Sequence, residues 1–238
     1  KYQDELRFRY NTFRQSRYNY AMKLPVLYSL QHCPYAMRAR LGLLMAQQQV
    51  MLRAITMKNK PEEMLTKSPK GTVPVLILTD DTVIDESLEI MIWALQKNDP
   101  EDLLHKDHPE DLSATLELIH QNDKQFKPQL EIYKKAKRFR LENVIEERQK
   151  CEIFIADLEQ RLSNNGFFIG NKAGLIDYAL LPFVRQFSRV NRAWFIQAPY
   201  PNLRDWLEHH MQSQLYGKAM AKFPFWLETH EDCLFGDM

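Results

Sequence analysis

Cys33 stands in the run Tyr28-Ser29-Leu30-Gln31-His32-Cys33-Pro34-Tyr35-Ala36. Pro25 to Leu30 reads as a short strand. Pro34 to Ala46 reads as a helix with proline in its first turn, where a missing N–H costs nothing. A thiol at such a junction faces the unpaired N–H groups of the helix start, and these, with the macrodipole, favour the thiolate. The thiolate is the nucleophile of thiol chemistry, so the position suits nucleophilic attack or disulfide exchange. Ala36 occupies the place of a second thiol in a Cys-x-x-Cys pair, so the chemistry would run on one sulfur. Taken alone, a single cysteine in such a run is more often a small core residue.

Two further stretches add to it. In Gly71-Thr72-Val73-Pro74-Val75-Leu76-Ile77-Leu78, a proline opens an apolar strand, a place where its missing N–H is tolerated. A cis Val73-Pro74 bond would turn the Val73 N–H and C=O toward an extended peptide, which could pair there as an added strand does. An ordinary turn proline is the alternative. Asp85-Glu86-Ser87 closes a short strand, Thr82 to Ile84, and opens a helix, Leu88 to Lys97. Ser87 suits a cap, and the N–H groups behind it suit a carboxylate. A plain helix cap explains the same residues.

Four motifs in order carry a resemblance: Cys33-Pro34-Tyr35-Ala36, Asn59-Lys60-Pro61-Glu62, Val73-Pro74-Val75-Leu76 and Glu86-Ser87. Together they resemble the cysteine-type, omega-like branch of the glutathione transferase superfamily and its bacterial relatives, over about residues 22 to 238. The resemblance implies an α/β N-terminal thioredoxin-like domain (βαβαββα) followed by an all-α C-terminal helical-bundle domain. It implies glutathione as co-substrate. Cys33 would meet the glutathione sulfur, and Val73, ahead of cis-Pro74, would pair with the cysteinyl backbone. Glu86 and Ser87 would take the γ-glutamyl end, Lys60 the glycyl carboxylate, and Tyr35 would join the glutathione site. Lys60 also reads as a solvated loop lysine, because Lys58, Lys67 and Lys70 lie near it in sequence.

The same resemblance sets the expected activity. A cysteine at this site forms a mixed disulfide with glutathione, which points to a glutathione-dependent thiol transferase or reductase. The alternatives are a non-catalytic binding or regulatory protein of the same fold, and conventional conjugation of glutathione to electrophiles. The second substrate is an unknown small-molecule or protein disulfide or electrophile. A homodimer is expected, with helix Ser87 to Lys97 and the segment Leu112 to Tyr133 as the contact.

Composition fits an ordinary globule. The 238 residues are 45% hydrophobic and 26% charged with a net charge of +1, which makes no case for a nucleic-acid or membrane partner. Cys33, Cys151 and Cys233 make no disulfide framework, so a cytoplasmic location is expected. No metal-ligand spacing is visible, and no metal is expected. Residues 1–21 carry five Lys/Arg, two Asp/Glu and six aromatics, without the apolar run of a secretory signal. They are expected to form a disordered or partly docked extension, ahead of a thioredoxin-like domain at 22–97, a linker at 98–108 and a helical domain at 109–238.

In the helical half, Leu112, Leu116, Ile119, Asp123, Phe126, Leu130 and Tyr133 share one stripe, with a kink expected near Pro128. A carboxylate on an apolar stripe needs a partner or water. Asp123 is therefore expected to face a cleft or a cation, and Asp123→Leu to leave the fold intact; a surface Asp on a bent helix is the alternative. With Phe126 and Trp194 it forms the expected second-substrate cleft, with Phe195, Phe225 and Trp226 as further aromatic candidates; each aromatic also reads as core. Leu141 to Asn164 reads as a helix with Cys151 in its core face, ended by Gly166. Gly174 to Asp177 keeps half of a capping box before a buried helix, Tyr178 to Phe187. His209-His210 reads as a surface pair.

Overall fold

Cys33 sits on the second element of an α/β layer. In the computed structural model, which describes residues 24–105 and 109–236, the layer opens with β1 (Val26–Ser29), α1 (Pro34–Met45), β2 (Val50–Ala54) and α2 (Glu62–Lys67). It continues with β3 (Val75–Ile77), β4 (Val83–Ile84) and α3 (Ser87–Lys97). The expected extension at 1–21 lies outside the described residues, as does part of the expected linker. β1 pairs parallel with β2 and antiparallel with β3, and β4 runs antiparallel to β3. The βαβαββα order expected from the motifs is therefore present, with α3 starting at Ser87, one residue earlier than the sequence reading.

The bundle follows: α4 (Pro109–Gln121), a π-helical turn (Asn122–Phe126), α5 (Lys127–Phe139), α6 (Val144–Asn165), α7 (Leu175–Val190), α8 (Arg192–Gln197), α9 (Pro201–Gln212), α10 (Gln214–Ala219) and α11 (Trp226–Thr229). The expected helical domain is present with one addition, a three-residue strand after its last helix: β5 (Cys233–Phe235) returns to pair antiparallel with β2. Among the described residues this makes a five-stranded sheet in the order β4-β3-β1-β2-β5. Gly236 ends the tail with φ +102, and a Cβ there would meet the Gln48 carbonyl oxygen at 2.1 Å. The tail therefore closes on the sheet only with glycine at that position.

Strand alternation sorts the core into two. Leu27 points into a large cluster that runs through α1 and α3 into the bundle, while Tyr28 joins Ile55, Met64, Val73 and Val75 on the other face. α1 lies between sheet and bundle and is apolar on nearly every side, the mark of a buried helix. Gly42 lets it approach α3: a Cβ would stand 2.7 Å from the Met91 Cα.

Two arginines interrupt this apolar helix, and both are buried: Arg38 is 0% and Arg40 2% exposed. Arg38 Nε donates to the Ala179 carbonyl at 3.1 Å, and its two terminal nitrogens donate to the two Asp123 carboxylate oxygens at 2.7 Å each. The guanidinium lies 4.5 Å from the Phe183 ring centroid. Arg38 thus ties the α/β layer to α7 and to the π turn. The π turn adds residues to the helical run and aims Asp123 at α1 instead of at solvent. Pro128 follows directly, in the first turn of α5.

The partner of Asp123 overturns the expectation that leucine would be neutral there. Deleting the carboxylate strands a buried guanidinium, a change that costs about 3–5 kcal/mol in comparable buried pairs. Two other readings also change. Phe126 is 2% exposed and stacks on Phe154, and it belongs to the core. His210 is buried against Trp206, Tyr178 and Phe167, and burial pulls its pKa down to about 4. The surface pair is therefore split, with only His209 outside. Cys151 is core, as expected, and burial pushes its thiol up to about 12.

The Arg38–Asp123 clamp gives a direct expectation. Asp123→Leu should lower the unfolding free energy by about 3 kcal/mol, whereas Asp123→Leu combined with Arg38→Met should recover much of that loss. Chemical denaturation of both variants reads the difference. A single variant as stable as the parent would contradict the clamp.

Candidate active site

β1 delivers the chain to Leu30, and α1 begins at Pro34, so the site starts as a three-residue corner. Cys33 is the N-cap residue of α1, with φ −71 and ψ 124, and its carbonyl accepts the first helical bond from Met37 N–H at 2.9 Å. Its own N–H donates to the Leu30 carbonyl at 3.2 Å. No acidic residue stands in the first turn of α1, so nothing there opposes a negative sulfur.

Arg40 holds the corner from beneath. Its Nη2 donates to the Gln31 carbonyl at 2.7 Å, and one Nη1 reaches both the Ser29 hydroxyl and the Leu30 carbonyl. Its Nε donates to the Ala219 carbonyl at 2.7 Å, at the end of α10. Burial pulls its pKa down to about 10, which leaves it charged at neutral pH. Gln31 Nε2 donates to the Met220 carbonyl at 2.9 Å, a second bond from the corner to the same segment. No sequence motif marks Arg38 or Arg40. The available signal was two arginines in a helix apolar on every side, a place where a charge must have partners.

The Val73-Pro74 bond is cis, and Val73 is buried. The Cys33 Sγ donates weakly to the Val73 carbonyl at 3.7 Å, so the thiol and the cis-proline loop meet as the motifs implied. Lys60 lies along this loop, its Nζ 3.4 Å from where a Gly71 Cβ would stand. Ser87 is buried at the start of α3, beside the more exposed Glu86. Glu86 is held by Lys70, which also stands 3.9 Å from Asp85. That ion pair and its hydrogen bond raise the Lys70 pKa. Lys70 is thus a cation of this edge that the motifs did not assign.

Tyr35 takes a different place from the one expected. Its ring packs edge-on against Phe183 at 5.1 Å, with the Lys127 Nζ 5.9 Å from its centroid. It is a residue of the seam between the two layers, and burial raises its pKa.

Beside the corner, a cavity of about 660 Å³ opens between α1, α5 and α7, with His32 and Pro34 in its lining. Asp123, Phe126 and Trp194 do not line it. Asp123 is engaged by Arg38, Phe126 is core, and Trp194 carries the Arg148 guanidinium 4.2 Å from its ring centroid, beside Tyr200. Phe195 is core, while Phe225 and Trp226 lie by β2, where Trp226 stacks with Arg53 at 4.4 Å. The aromatic residues expected to form a cleft wall are thus elsewhere, and the cavity lining is instead rich in Lys and Arg.

Among the described residues, no group of three or more His, Cys, Asp or Glu side chains could hold a metal ion. No described helix is long and apolar enough to cross a membrane.

Comparison with known proteins agrees with this geometry. Residues 27–102 match the glutathione S-transferase N-terminal domain family, and residues 144–209 the C-terminal domain family. The chain is 28% identical over 200 residues to glutathione S-transferase omega-1 of Rattus norvegicus, covering 83% of this chain and 77% of that protein. Its fold is similar to that of glutathione transferase Omega 3C from Trametes versicolor, with TM-score 0.71 and 20% identity over 85% of this chain and 91% of that one. It is also similar to a glutathione transferase family member from Pseudomonas fluorescens pf-5 solved with two glutathione bound, with TM-score 0.73 and 14% identity over 84% of this chain and 93% of that one. Two domain matches in the right order, on a thioredoxin-like layer whose thiol faces a cis-proline loop, lead to one conclusion: the chain belongs to the glutathione transferase superfamily, on its omega-like side.

Proposed function

We propose that the protein is a glutathione-dependent thiol transferase that works through a Cys33–glutathione mixed disulfide. The observation that carries this reading is the single thiol at the α1 N-cap, with Sγ 3.7 Å from the Val73 carbonyl of the cis-proline loop. The glutathione backbone would pair with Val73. Ser87 and Glu86 would receive its γ-glutamyl end, and Lys60 its glycyl carboxylate. These groups fit a small peptide with an anionic end near a helix start and another near a cation.

In the first half-reaction the Cys33 thiolate attacks the glutathionyl sulfur of a glutathione mixed disulfide. The S–S bond breaks, Cys33–S–S–glutathione forms, and the other half leaves as a thiolate that takes a proton from water. In the second, a glutathione thiolate attacks the bound glutathionyl sulfur, forms oxidised glutathione and returns Cys33 as thiolate. One sulfur completes the cycle. Cys151 is buried, and Cys233 is raised in pKa by burial and by Glu231 and Asp232, so neither suits the role.

Two copies would form a two-fold dimer in the cytoplasm. The proposed contact keeps the outer faces of α3 and α4 and extends along α5 and α6, where Ile132, Leu141, Ile145 and Ile153 are exposed. Light scattering at micromolar concentration should give twice 28.3 kDa, and a single species at 28.3 kDa would rule the dimer out.

Intact mass after incubation with oxidised glutathione tests the chemistry. The wild type should gain one glutathionyl unit that reduced glutathione removes, and Cys33→Ala should gain none. An adduct of equal yield on Cys33→Ala, or none on the wild type, would end this reading.

A further inference from the structure

The cavity beside Cys33 has a charge the rest of the chain does not. The whole protein carries a net +1, yet six Lys/Arg line this space against one carboxylate, Glu131. The cations stand on two helices. Lys134, Lys135, Lys137 and Arg138 come from α5, and Arg185 and Arg189 from α7. Glu131 is engaged by Lys134 at 2.8 Å and also by Lys127. The other five lining cations have no carboxylate partner among the described residues. Arg185 Nε and Gln186 Oε1, both on lining residues, are buried without a hydrogen-bond partner. A native structure rarely leaves such groups unmet unless water or a ligand meets them.

His32 senses the field. It adjoins Cys33 and lines the cavity, and its pKa is lowered by burial first, then by Arg185, Arg189, Arg40 and Lys222. Apolar surface completes the lining, with Pro34 and Met37 on α1 and Pro182 on α7. The volume, about 660 Å³, lies in the range of small-molecule sites and far exceeds what a departing sulfur needs.

We propose that this cavity receives the non-glutathione half of the disulfide, and that it selects a small thiol compound bearing two or more carboxylates. Cations on facing helices suit two separated anionic groups, one toward α5 and one toward α7, with the carbon frame on Met37 and Pro182. The inference rests on the thiol-transfer reading. The bond made and the bond broken are those given above, and the leaving thiolate carries the carboxylates away. Neutral and cationic partners lack the attraction, and a cationic one is repelled.

The test has two arms. In the first, kcat/KM is measured for glutathione mixed disulfides with 2-mercaptosuccinate, 2-mercaptoethanol and cysteamine. The dicarboxylate should lead the neutral compound by about tenfold, the factor of a charge-assisted hydrogen bond or two, with cysteamine last. The lead should shrink in Arg185→Gln/Arg189→Gln and in Lys137→Gln/Arg138→Gln, and with added salt. Equal kcat/KM for all three, or a lead that survives both double variants, overturns the inference.

The second arm is calorimetric binding of benzene-1,3-dicarboxylate and its neutral diamide to wild type and to Cys33→Ala. Both proteins should bind the dicarboxylate more tightly, and equal binding of the diamide counts against the cavity. If the dicarboxylate binds but no disulfide turns over, the thiol-transfer reading fails while the anion site stands. If disulfides turn over without charge preference, the anion site fails alone.

Discussion

A buried guanidinium must find acceptors or the fold does not form, and α1 carries two. That constraint organises the molecule. Arg38 needs the Asp123 carboxylate and the Ala179 carbonyl, so the bundle must sit where the π turn and α7 supply them. Arg40 needs the carbonyls of Leu30, Gln31 and Ala219, so the corner before Cys33 and the end of α10 must meet at one point. Arginine suits both places because its planar fork serves several acceptors at once, which a lysine does not. The proposed nucleophile then inherits its position from a stability requirement: Cys33 is adjacent to a loop that the helix it begins holds down.

This arrangement separates two tasks. In the proposed reading, recognition of glutathione falls to the α/β layer, where the cis-proline loop meets the thiol and Lys60 and the start of α3 would take the two ends of the peptide. Recognition of the other substrate half would fall to the bundle, whose α5 and α7 present the basic cavity. α1 touches both, and its buried arginines bond to the π turn, to α7, to the corner before Cys33 and to the end of α10. The returning tail adds β5 to the β2 edge and covers backbone groups that would otherwise stand open.

The parts of this arrangement that were readable in the sequence are local. A Pro after Cys33, a Pro after Val73 and a Ser at a helix start each declare their backbone role through bonded chemistry, and the order of the motifs carries the fold. The parts that were not readable depend on distant partners. Asp123 was readable as a carboxylate that needs a cleft or a cation, but the cation could not be named because its guanidinium lies 85 positions away. The cavity escaped notice because its cations sit on two helices, each of which reads alone as an ordinary wet face. β5 is three residues long, too short for alternation to register. His209 and His210 are neighbours in sequence but about 100° apart around a helix, so only the tertiary packing says which is buried.

Arg40 positions Cys33 by holding the carbonyls of the corner that precedes it. Amide hydrogen exchange at Gln31 to Cys33 in Arg40→Lys, compared with wild type, tests it most directly. Lysine keeps the charge but lacks the fork that binds Ser29, Leu30, Gln31 and Ala219. Exchange of this corner should accelerate while the amides of β1 and of the middle of α1 stay protected. Unchanged exchange at Gln31 to Cys33 would contradict it.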